Sequence, residues 1–219
     1  MPLILHKNIE NGEIGLWKIT EELEELILLA ELSTDDLIIY SGISTIFRKK
    51  EWLATRTLLN QLNGNKSQIR YHNDGRPFLE YGQTNISISH TKSFVAVMLL
   101  TENLPGIDIE LKSREVGRVA RRFLSPEEYD GCMAQTEYRN RNLLIHWCAK
   151  EAVFKMIPLG NIEFSTDIQI TLDDCKPDYG VFYGLFNQKG DKIPIKLEYM
   201  ELDELFMVWG CTEEIIQTG

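Results

Sequence analysis

Apolar residues at helical spacing predict two helices in the first part of the chain, over residues 20–32 and 46–62. The second helix is expected to end at Gly64, because glycine adopts the left-handed backbone that commonly follows a helix. Apolar and β-branched runs over 85–89 and 94–100 predict two strands joined by a short polar turn. This part of the chain therefore mixes helices with strands.

The second part of the chain repeats this mixture. A short strand is predicted over 107–111 and a helix over 115–122. Ser125 and Glu128 have the spacing of a capping box, which predicts the start of another helix. A long helix over 139–157 follows. Four strands are then predicted, over residues 162–175, 181–187, 193–200 and 205–211.

An Asn-Leu-Pro-Gly break at residues 103–106 separates these two parts near the midpoint of the chain. We expect an α+β protein with an N-terminal half of residues 1–104 and a C-terminal half of residues 105–219. The chain has 219 residues, of which 43% are hydrophobic, so it can bury a substantial core.

Charge and cysteine content exclude several classes of function. A formal net charge of −10 at pH 7 disfavours nucleic acid and anionic membranes as partners. The apolar runs are too short to cross a bilayer, and the N-terminus lacks signal-peptide features, so we expect a cytoplasmic protein. No C-x-x-C pair is present, so we expect free thiols and no zinc or dithiol chemistry. The cysteines are Cys132, Cys148, Cys175 and Cys211.

Two carboxylates are predicted to share one face of the strand over 107–111. Alternate side chains of a strand lie on the same side, so Asp108 and Glu110 point together, about 7 Å apart. Ile107 and Ile109 then point into a core on the opposite face. Carboxylates this close repel each other, so a basic side chain, water or a cation must offset their charge.

A third carboxylate lies where the long helix should be apolar. Leu144, Trp147, Glu151 and Phe154 form one stripe at steps of three and four residues. A buried carboxylate is costly unless it is paired or bound to metal, and Lys155, one turn on, can reach the same region. Together with the strand carboxylates, Glu151 would form an oxygen cage suited to Mg²⁺. A solvated acidic strand edge with an ordinary Glu151–Lys155 helix pair explains the same pattern equally well.

Two segments in combination resemble the signature of the 4′-phosphopantetheinyl transferase superfamily. They are Gly-Ile-Asp-Ile-Glu at 106–110 and Trp-Cys-Ala-Lys-Glu-Ala-Val-Phe-Lys at 147–155. Gly75-Arg76-Pro77, Ile88-Ser89-His90-Thr91 and the helix segment at 52–59 are similar to further elements of the family. The length and layout resemble the Sfp-type subgroup. That resemblance implies two similar α/β halves related by pseudo-twofold symmetry, with the active site at their interface.

The resemblance implies transfer of 4′-phosphopantetheine from coenzyme A to a serine of an apo acyl or peptidyl carrier protein. The implied reaction depends on Mg²⁺ and releases 3′,5′-ADP. It makes Asp108, Glu110 and Glu151 metal ligands, with Glu151 or a metal-bound hydroxide as the base and Lys155 as the acid. The residues that would bind coenzyme A are Arg48, Arg56, Arg76, Ser89, His90, Lys150 and Lys155.

A basic stretch follows the first carboxylate segment. Arg114, Arg118 and Arg122 recur at helical spacing, next to Phe123. Basic helix faces are usually just solvated. The family's carrier proteins are acidic, however, so we expect the carrier to dock on this stretch through charge and apolar contact. Because one chain contains both halves, we expect a monomer.

Two other functions fit parts of the pattern. A non-catalytic protein on the same scaffold could bind a carrier or a nucleotide, although every implied metal ligand and catalytic lysine is present. An unrelated Mg²⁺-dependent phosphohydrolase would account for the carboxylate segments, but the Ser-His and Gly-Arg-Pro matches would then be accidental.

Overall fold

The computed structural model of the protein describes residues 2–64, 68–157, 161–172, 178–188 and 190–212. The chain divides into two compact units, an N-terminal unit, Met1–Glu102, and a C-terminal unit, Asn103–Gly219. None of the helices within the described ranges has the length and hydrophobicity needed to cross a bilayer. Cys132 and Cys148 are free and buried, whereas Cys211 is exposed and its sulfur accepts from the Asn103 side-chain amide. Cys175 lies outside the described residues.

The N-terminal unit pairs an antiparallel sheet with three helices. Its elements are β1 Leu3–Ile9, β2 Gly12–Lys18, α1 Leu23–Ala30, α2 Thr34–Ser41, α3 Ile46–Asn63, β3 Ile69–Tyr71, β4 Pro77–Leu79, β5 Asn85–Thr91 and β6 Phe94–Leu100. Four strands form a sheet in the order β1-β2-β6-β5, and β3 pairs with β4. Helix α3 packs on β2 and β6, with α1 against it. The Thr45 side chain caps α3 at its start, and Gly64 ends it at φ 61°.

The C-terminal unit has a five-stranded antiparallel sheet and one long helix across it. Its elements are β7 Leu104–Leu111, a 3₁₀ turn Gly117–Val119, α4 Ala120–Phe123, α5 Pro126–Ala134, α6 Arg139–Met156, α7 Phe164–Asp167, β8 Ile168–Thr171, β9 Tyr179–Gln188, β10 Asp191–Glu201 and β11 Leu205–Thr212. The strand order is β7-β11-β10-β9-β8. The predicted capping box begins α5, where Ser125 Oγ accepts from the Glu128 amide and the Glu128 carboxylate accepts from the Ser125 amide.

Two paired glycines let α6 lie close on the edge of this sheet. Gly106 of β7 faces Gly210 of β11. A Cβ at Gly106 would lie 2.1 Å from the carbonyl oxygen of Ala152, and one at Gly210 would lie 3.0 Å from Met156 Cε. Any larger residue would therefore push the helix away. This close approach lets residues of α6 reach the carboxylates of β7.

The predicted elements agree with the observed ones where the pattern is long. The bounds of α3 and α6 lie within one residue of the prediction, and β6 matches it. Two predictions were wrong. The predicted helix over 115–122 is a 3₁₀ turn followed by the short α4. The strand predicted over 162–175 contains α7 before the four residues of β8, and its last three positions, 173–175, lie outside the described residues. The break at 103–106 lies where the chain divides into its two units, and β7 begins within it. The hairpin of β1 and β2 and the helix α2 were not predicted.

Candidate functional site

The edge strand β7 carries Asp108 and Glu110 on the face that packs against α6. Both residues are buried. Their cross-strand neighbours on β11, Val208 and Phe206, belong to the hydrophobic core of the C-terminal unit. The sequence prediction that the two carboxylates share a face is confirmed. The prediction that this face lies away from the core was wrong, because the helix and the core cover it.

Lys155 of α6 reaches Asp108. Its Nζ lies 2.8 Å from Asp108 Oδ1 and donates to the carbonyl oxygen of Ile107, also at 2.8 Å. The lysine is partly exposed and the aspartate is buried. The ion pair therefore neutralises a buried carboxylate with a cation that still faces solvent.

Glu110 is held by an arginine and a tryptophan. Arg114, four residues further along the chain, forms an ion pair with Glu110 Oε1. The indole Nε1 of Trp147 donates to the same oxygen at 3.0 Å. The Arg114 guanidinium lies 4.9 Å from the centroid of the Trp147 ring, and Phe123 packs edge-on against that ring at 5.1 Å. Trp147 thus orients both members of the ion pair.

Glu151 belongs to the same electrostatic neighbourhood. Burial raises the pKa of Glu151, the negative charge of Asp108 raises it further, and Lys155 and Arg114 act in the opposite direction. We call Asp108, Glu110 and Glu151, with Lys155 and Arg114, the carboxylate cluster. Its three acids outnumber its two bases, so its formal charge is −1 when all five groups are ionised.

The donor chemistry of this cluster suits Mg²⁺, because carboxylate oxygens are the ligands that this cation prefers. Across the described ranges, however, no group of three or more histidine, cysteine, aspartate or glutamate side chains has an arrangement that could hold a metal ion. Lys155 and Arg114 contact Asp108 and Glu110. The acids are thus of the right kind for the metal, but two of the three, Asp108 and Glu110, are paired with bases of the chain.

Lys150 lies apart from the carboxylate cluster and is fully buried, with 0% of its side chain exposed. Its Nζ lies 2.6 Å from the Glu128 carboxylate and donates to the carbonyl oxygens of Phe164 at 2.8 Å and Ile168 at 2.6 Å. Burial lowers the pKa of Lys150, and Glu128 opposes that shift. All three N–H groups are engaged, which corrects the expectation that Lys150 contacts a phosphate. Lys150 instead ties α6 to α5, α7 and β8.

In the N-terminal unit, the structure brings Arg48 and His90 together through a residue that the sequence reasoning missed. Glu51 of α3 is buried and accepts from Arg48 Nη1 at 2.9 Å. Its other oxygen lies 3.4 Å from His90 Nδ1, and Arg48 Nη1 lies 3.1 Å from His90 Nε2. We call these three residues the Glu51 cluster. A signal was present in the sequence, because Glu51 lies three residues after Arg48, where an acid and a base can pair across one turn of a helix.

Arg56 is buried within the N-terminal unit. Its Nε donates to Asp36 at 2.8 Å, and its guanidinium lies 3.2 Å from the centroid of the Trp52 ring. Burial lowers the pKa of Arg56, and the pair with Asp36 opposes the shift. This placement corrects the expectation that Arg56 contacts a phosphate, because its charge is neutralised inside the unit.

The remaining residues predicted to bind coenzyme A, Arg76 and Ser89, differ in how far they are exposed. Arg76 is half-buried and pairs with Asp74 at 2.8 Å in the loop before β4. Ser89 is buried on β5, next to the exposed His90. Neighbouring residues of a strand point to opposite faces, so the two side chains lie on different sides of the sheet.

The basic stretch contains exposed and buried positions. Arg118 and Arg122 are exposed, and Arg114 is bound to Glu110 of the carboxylate cluster. Phe123 was predicted to contact a carrier, but this was wrong: only 2% of it is exposed, and it packs in the hydrophobic core of the C-terminal unit.

Residues 105–199 match the 4′-phosphopantetheinyl transferase superfamily. The matched segment contains all but the first residue of β7, the whole of α6 and all five residues of the carboxylate cluster. It does not extend to the Glu51 cluster. Among curated proteins, no sequence matches the chain.

Proposed function

We propose that this chain is a Mg²⁺-dependent 4′-phosphopantetheinyl transferase of the Sfp type. It would transfer phosphopantetheine from coenzyme A to a serine of an apo acyl or peptidyl carrier protein, leaving 3′,5′-ADP. One observation carries the proposal. The carboxylate cluster, with Lys155 in contact with Asp108, lies within the segment that is similar to the superfamily.

Lys155 would stabilise and protonate the leaving group. Its ammonium is partly exposed and held at two points, by Asp108 and by the carbonyl of Ile107. A cation held in this way can offset the negative charge that develops on a phosphate oxygen without first reorganising. The same group can then give a proton to the departing 3′,5′-ADP.

Glu151 would accept the proton of the carrier serine. Burial and the charge of Asp108 raise the pKa of Glu151, so its carboxylate holds a proton more readily than an exposed glutamate does. A stronger base is better suited to deprotonating a hydroxyl as it attacks phosphorus.

Asp108, Glu110 and Glu151 would hold Mg²⁺, which, when bound, supplies positive charge to the pyrophosphate of coenzyme A. The oxygens that these residues would offer are partly engaged by Lys155 and Arg114.

For coenzyme A binding, Arg48 and His90 are the strongest candidates in the N-terminal unit, because both are exposed and lie together. Arg76 and Ser89 remain proposed neighbours of the nucleotide. Carrier docking would use Arg118 and Arg122, which are exposed and basic on a protein of net charge −10.

The proposal is tested by incubating the full chain with coenzyme A, Mg²⁺ and a panel of apo carrier proteins, followed by intact-mass measurement of each carrier. We expect a phosphopantetheine adduct on at least one carrier, lost when Mg²⁺ is chelated and restored when it is returned. An adduct that is unchanged by chelation would contradict the Mg²⁺ requirement. Coenzyme A binding without transfer to any carrier would instead support a non-catalytic binding protein.

A further inference from the structure

Helix α2 carries four consecutive apolar residues, at positions 37–40, yet none of its residues is buried. Leu37, Ile38 and Ile39 are 51%, 68% and 41% exposed. Tyr40 is the apolar residue that turns inward, where it packs on the hydrophobic core of the N-terminal unit, with its ring centroid 6.0 Å from that of Trp52. A helix that is apolar around most of its surface is normally covered on more than one side.

The exposed apolar surface continues onto the start of α3, four residues further along the chain. Ile46 and Phe47 are 66% and 53% exposed. Among the described residues, five of the fifteen large apolar side chains that are exposed therefore lie within positions 37–47. Single exposed apolar side chains are normal, but a concentration of them marks an interaction surface. We call Leu37, Ile38, Ile39, Ile46 and Phe47 the α2 surface.

Helix α2 is fixed in place despite its exposure. Asp36 forms an ion pair at 2.8 Å with the buried Arg56, and Asp35 forms one at 2.7 Å with Arg70 of β3. The Ser33 side chain caps the start of the helix by accepting from the Asp36 amide. Residues two positions apart lie on opposite sides of a helix, so Ile38 points away from Asp36 and its anchoring contact. The α2 surface is therefore preformed, and binding to it requires little ordering of the helix.

The charge around the α2 surface is negative. Residues 19–47, which include α1 and α2, contain seven acids and no lysine, arginine or histidine. Three of the acids form ion pairs within the N-terminal unit, so the segment keeps an excess of negative charge; these pairs are Glu22–Lys50, Asp35–Arg70 and Asp36–Arg56. The three bases that follow, at positions 48–50, contact Glu51, the Tyr40 ring and Glu22 of the same unit.

This charge selects among the possible occupants of the surface. A second copy of the chain would bring the same acids together, with a net charge of −10 on each copy. An acidic protein and an anionic bilayer would be repelled in the same way. A partner with basic side chains beside an apolar face would instead be attracted by the acids and would cover the exposed leucine, isoleucines and phenylalanine.

We propose that the α2 surface is the docking site for an amphipathic helix of a partner protein, with apolar residues on one face and lysines or arginines beside them. Such a helix binds by laying its apolar face on exposed apolar side chains. The α2 surface shares no residue with the carboxylate cluster or the Glu51 cluster. The inference therefore goes beyond the proposed transfer reaction and does not depend on it.

Calorimetry of the full chain with a synthetic peptide of leucine and lysine, whose leucines lie on one helical face, tests the proposal. In the double variant Leu37→Ser with Ile38→Ser, we expect affinity for this peptide to fall about thirtyfold, because two large apolar side chains no longer become buried on binding. The matched control is Val181→Ser with Tyr183→Ser, which removes two exposed apolar side chains of β9 and should keep the original affinity. Equal affinities in the two double variants would overturn the proposal.

The charge of the partner is tested with a second peptide that has glutamate in place of lysine. We expect it to bind the unmodified chain at least about tenfold more weakly than the lysine peptide, because the acids of residues 19–47 repel it. Equal binding of the two peptides would contradict a basic partner. The substituted positions of α2 are exposed, so the thermal unfolding midpoint of Leu37→Ser with Ile38→Ser should match that of the unmodified chain.

Sedimentation velocity and carrier kinetics test the other occupants. We expect the unmodified chain and the Leu37→Ser, Ile38→Ser variant both to sediment as monomers and to have the same KM for the carrier. A dimer that dissociates in the variant would show that a second copy covers the surface, and a raised KM would show that the carrier does. Either result would overturn the proposal. Because peptide binding is measured without coenzyme A or carrier, failure of the proposed transfer reaction would leave this test intact.

Discussion

The carboxylate cluster of the C-terminal unit and the Glu51 cluster of the N-terminal unit are built from the same kinds of contact, with opposite ratios of acidic to basic side chains. In the first, three acids are offset by two bases, and the acids are the more buried partners. In the second, one buried acid is shared by an arginine and a histidine that face solvent. An excess of acids favours a cation, whereas the Glu51 cluster presents its basic side chains, Arg48 and His90, to solvent.

The Lys150–Glu128 ion pair differs from both clusters, because its charged groups are satisfied entirely within the protein. Lys150 and Glu128 are matched one to one, both are buried, and the remaining N–H groups of Lys150 are used by backbone carbonyls. Such a pair has no charge or donor left for a ligand. The comparison teaches that charge balance and exposure together, rather than residue type alone, separate a ligand site from a structural ion pair.

The largest expected effect tests the acid-rich cluster. Asp108→Ala removes one of the acids that would hold Mg²⁺ and the partner of Lys155, so we expect the rate of carrier modification to fall about a thousandfold. Intact mass over time measures it. Glu115→Ala, at an exposed acid in the same unit, is the control and should keep the original rate. Retention of more than a tenth of the rate in Asp108→Ala would break the assignment of this cluster to catalysis.

Loss of the buried Lys150–Glu128 ion pair should lower the stability of the protein. Lys150→Met leaves Glu128 buried without its cation, so we expect the free energy of unfolding to fall by about 3 kcal/mol in denaturant titrations. Adding Glu128→Gln should restore part of it, because no uncompensated charge then remains. Lys196→Met, at an exposed lysine, should change little. A Lys150→Met variant that keeps its stability but loses affinity for coenzyme A would show that Lys150 binds the substrate.

Carrier docking should depend on exposed bases that belong to neither cluster. Reversal of charge in Arg118→Glu with Arg122→Glu should raise the KM for the carrier about tenfold and leave coenzyme A affinity unchanged. Steady-state kinetics with the carrier varied measures this. The same charge change in Lys192→Glu with Lys196→Glu, on exposed positions of β10, should have little effect. Equal KM values in the two double variants would contradict docking on this stretch.

The smallest effect concerns the bases within the acid-rich cluster. Arg114→Ala removes a base that competes for Glu110, so we expect Mg²⁺ to bind about threefold more tightly in calorimetry without coenzyme A. Arg118→Ala, an exposed arginine nearby, should leave Mg²⁺ affinity unchanged. Weaker binding in Arg114→Ala would mean that this arginine supports the metal site instead of competing with it.

Much of this organisation could be predicted from local patterns. Strand alternation places Asp108 and Glu110 on one face, and the capping box of Ser125 and Glu128 marks the start of α5, because both depend on residues a few positions apart. The predicted core-facing stripe of α6 was wrong, because Phe154 is exposed and the buried face of the helix carries Cys148, Ala152 and Met156. Trp147 and Glu151 lie beside that face, near the strand carboxylates. The short elements were less predictable. Helix α7 and the 3₁₀ turn are stabilised by their surroundings rather than by their own periodicity.

By itself, the sequence determined the long helices, the shared face of the two strand carboxylates, and the combination of motifs that resembles phosphopantetheinyl transferases. Only the tertiary structure decided which charged residues are free to meet a ligand. Arg56 is neutralised by Asp36, Lys150 by Glu128, and Arg48 meets His90 over Glu51. These partners lie about 20 to 40 residues apart along the chain. The charge that a site presents depends on which distant groups packing brings within a few ångströms, and no local spacing encodes that.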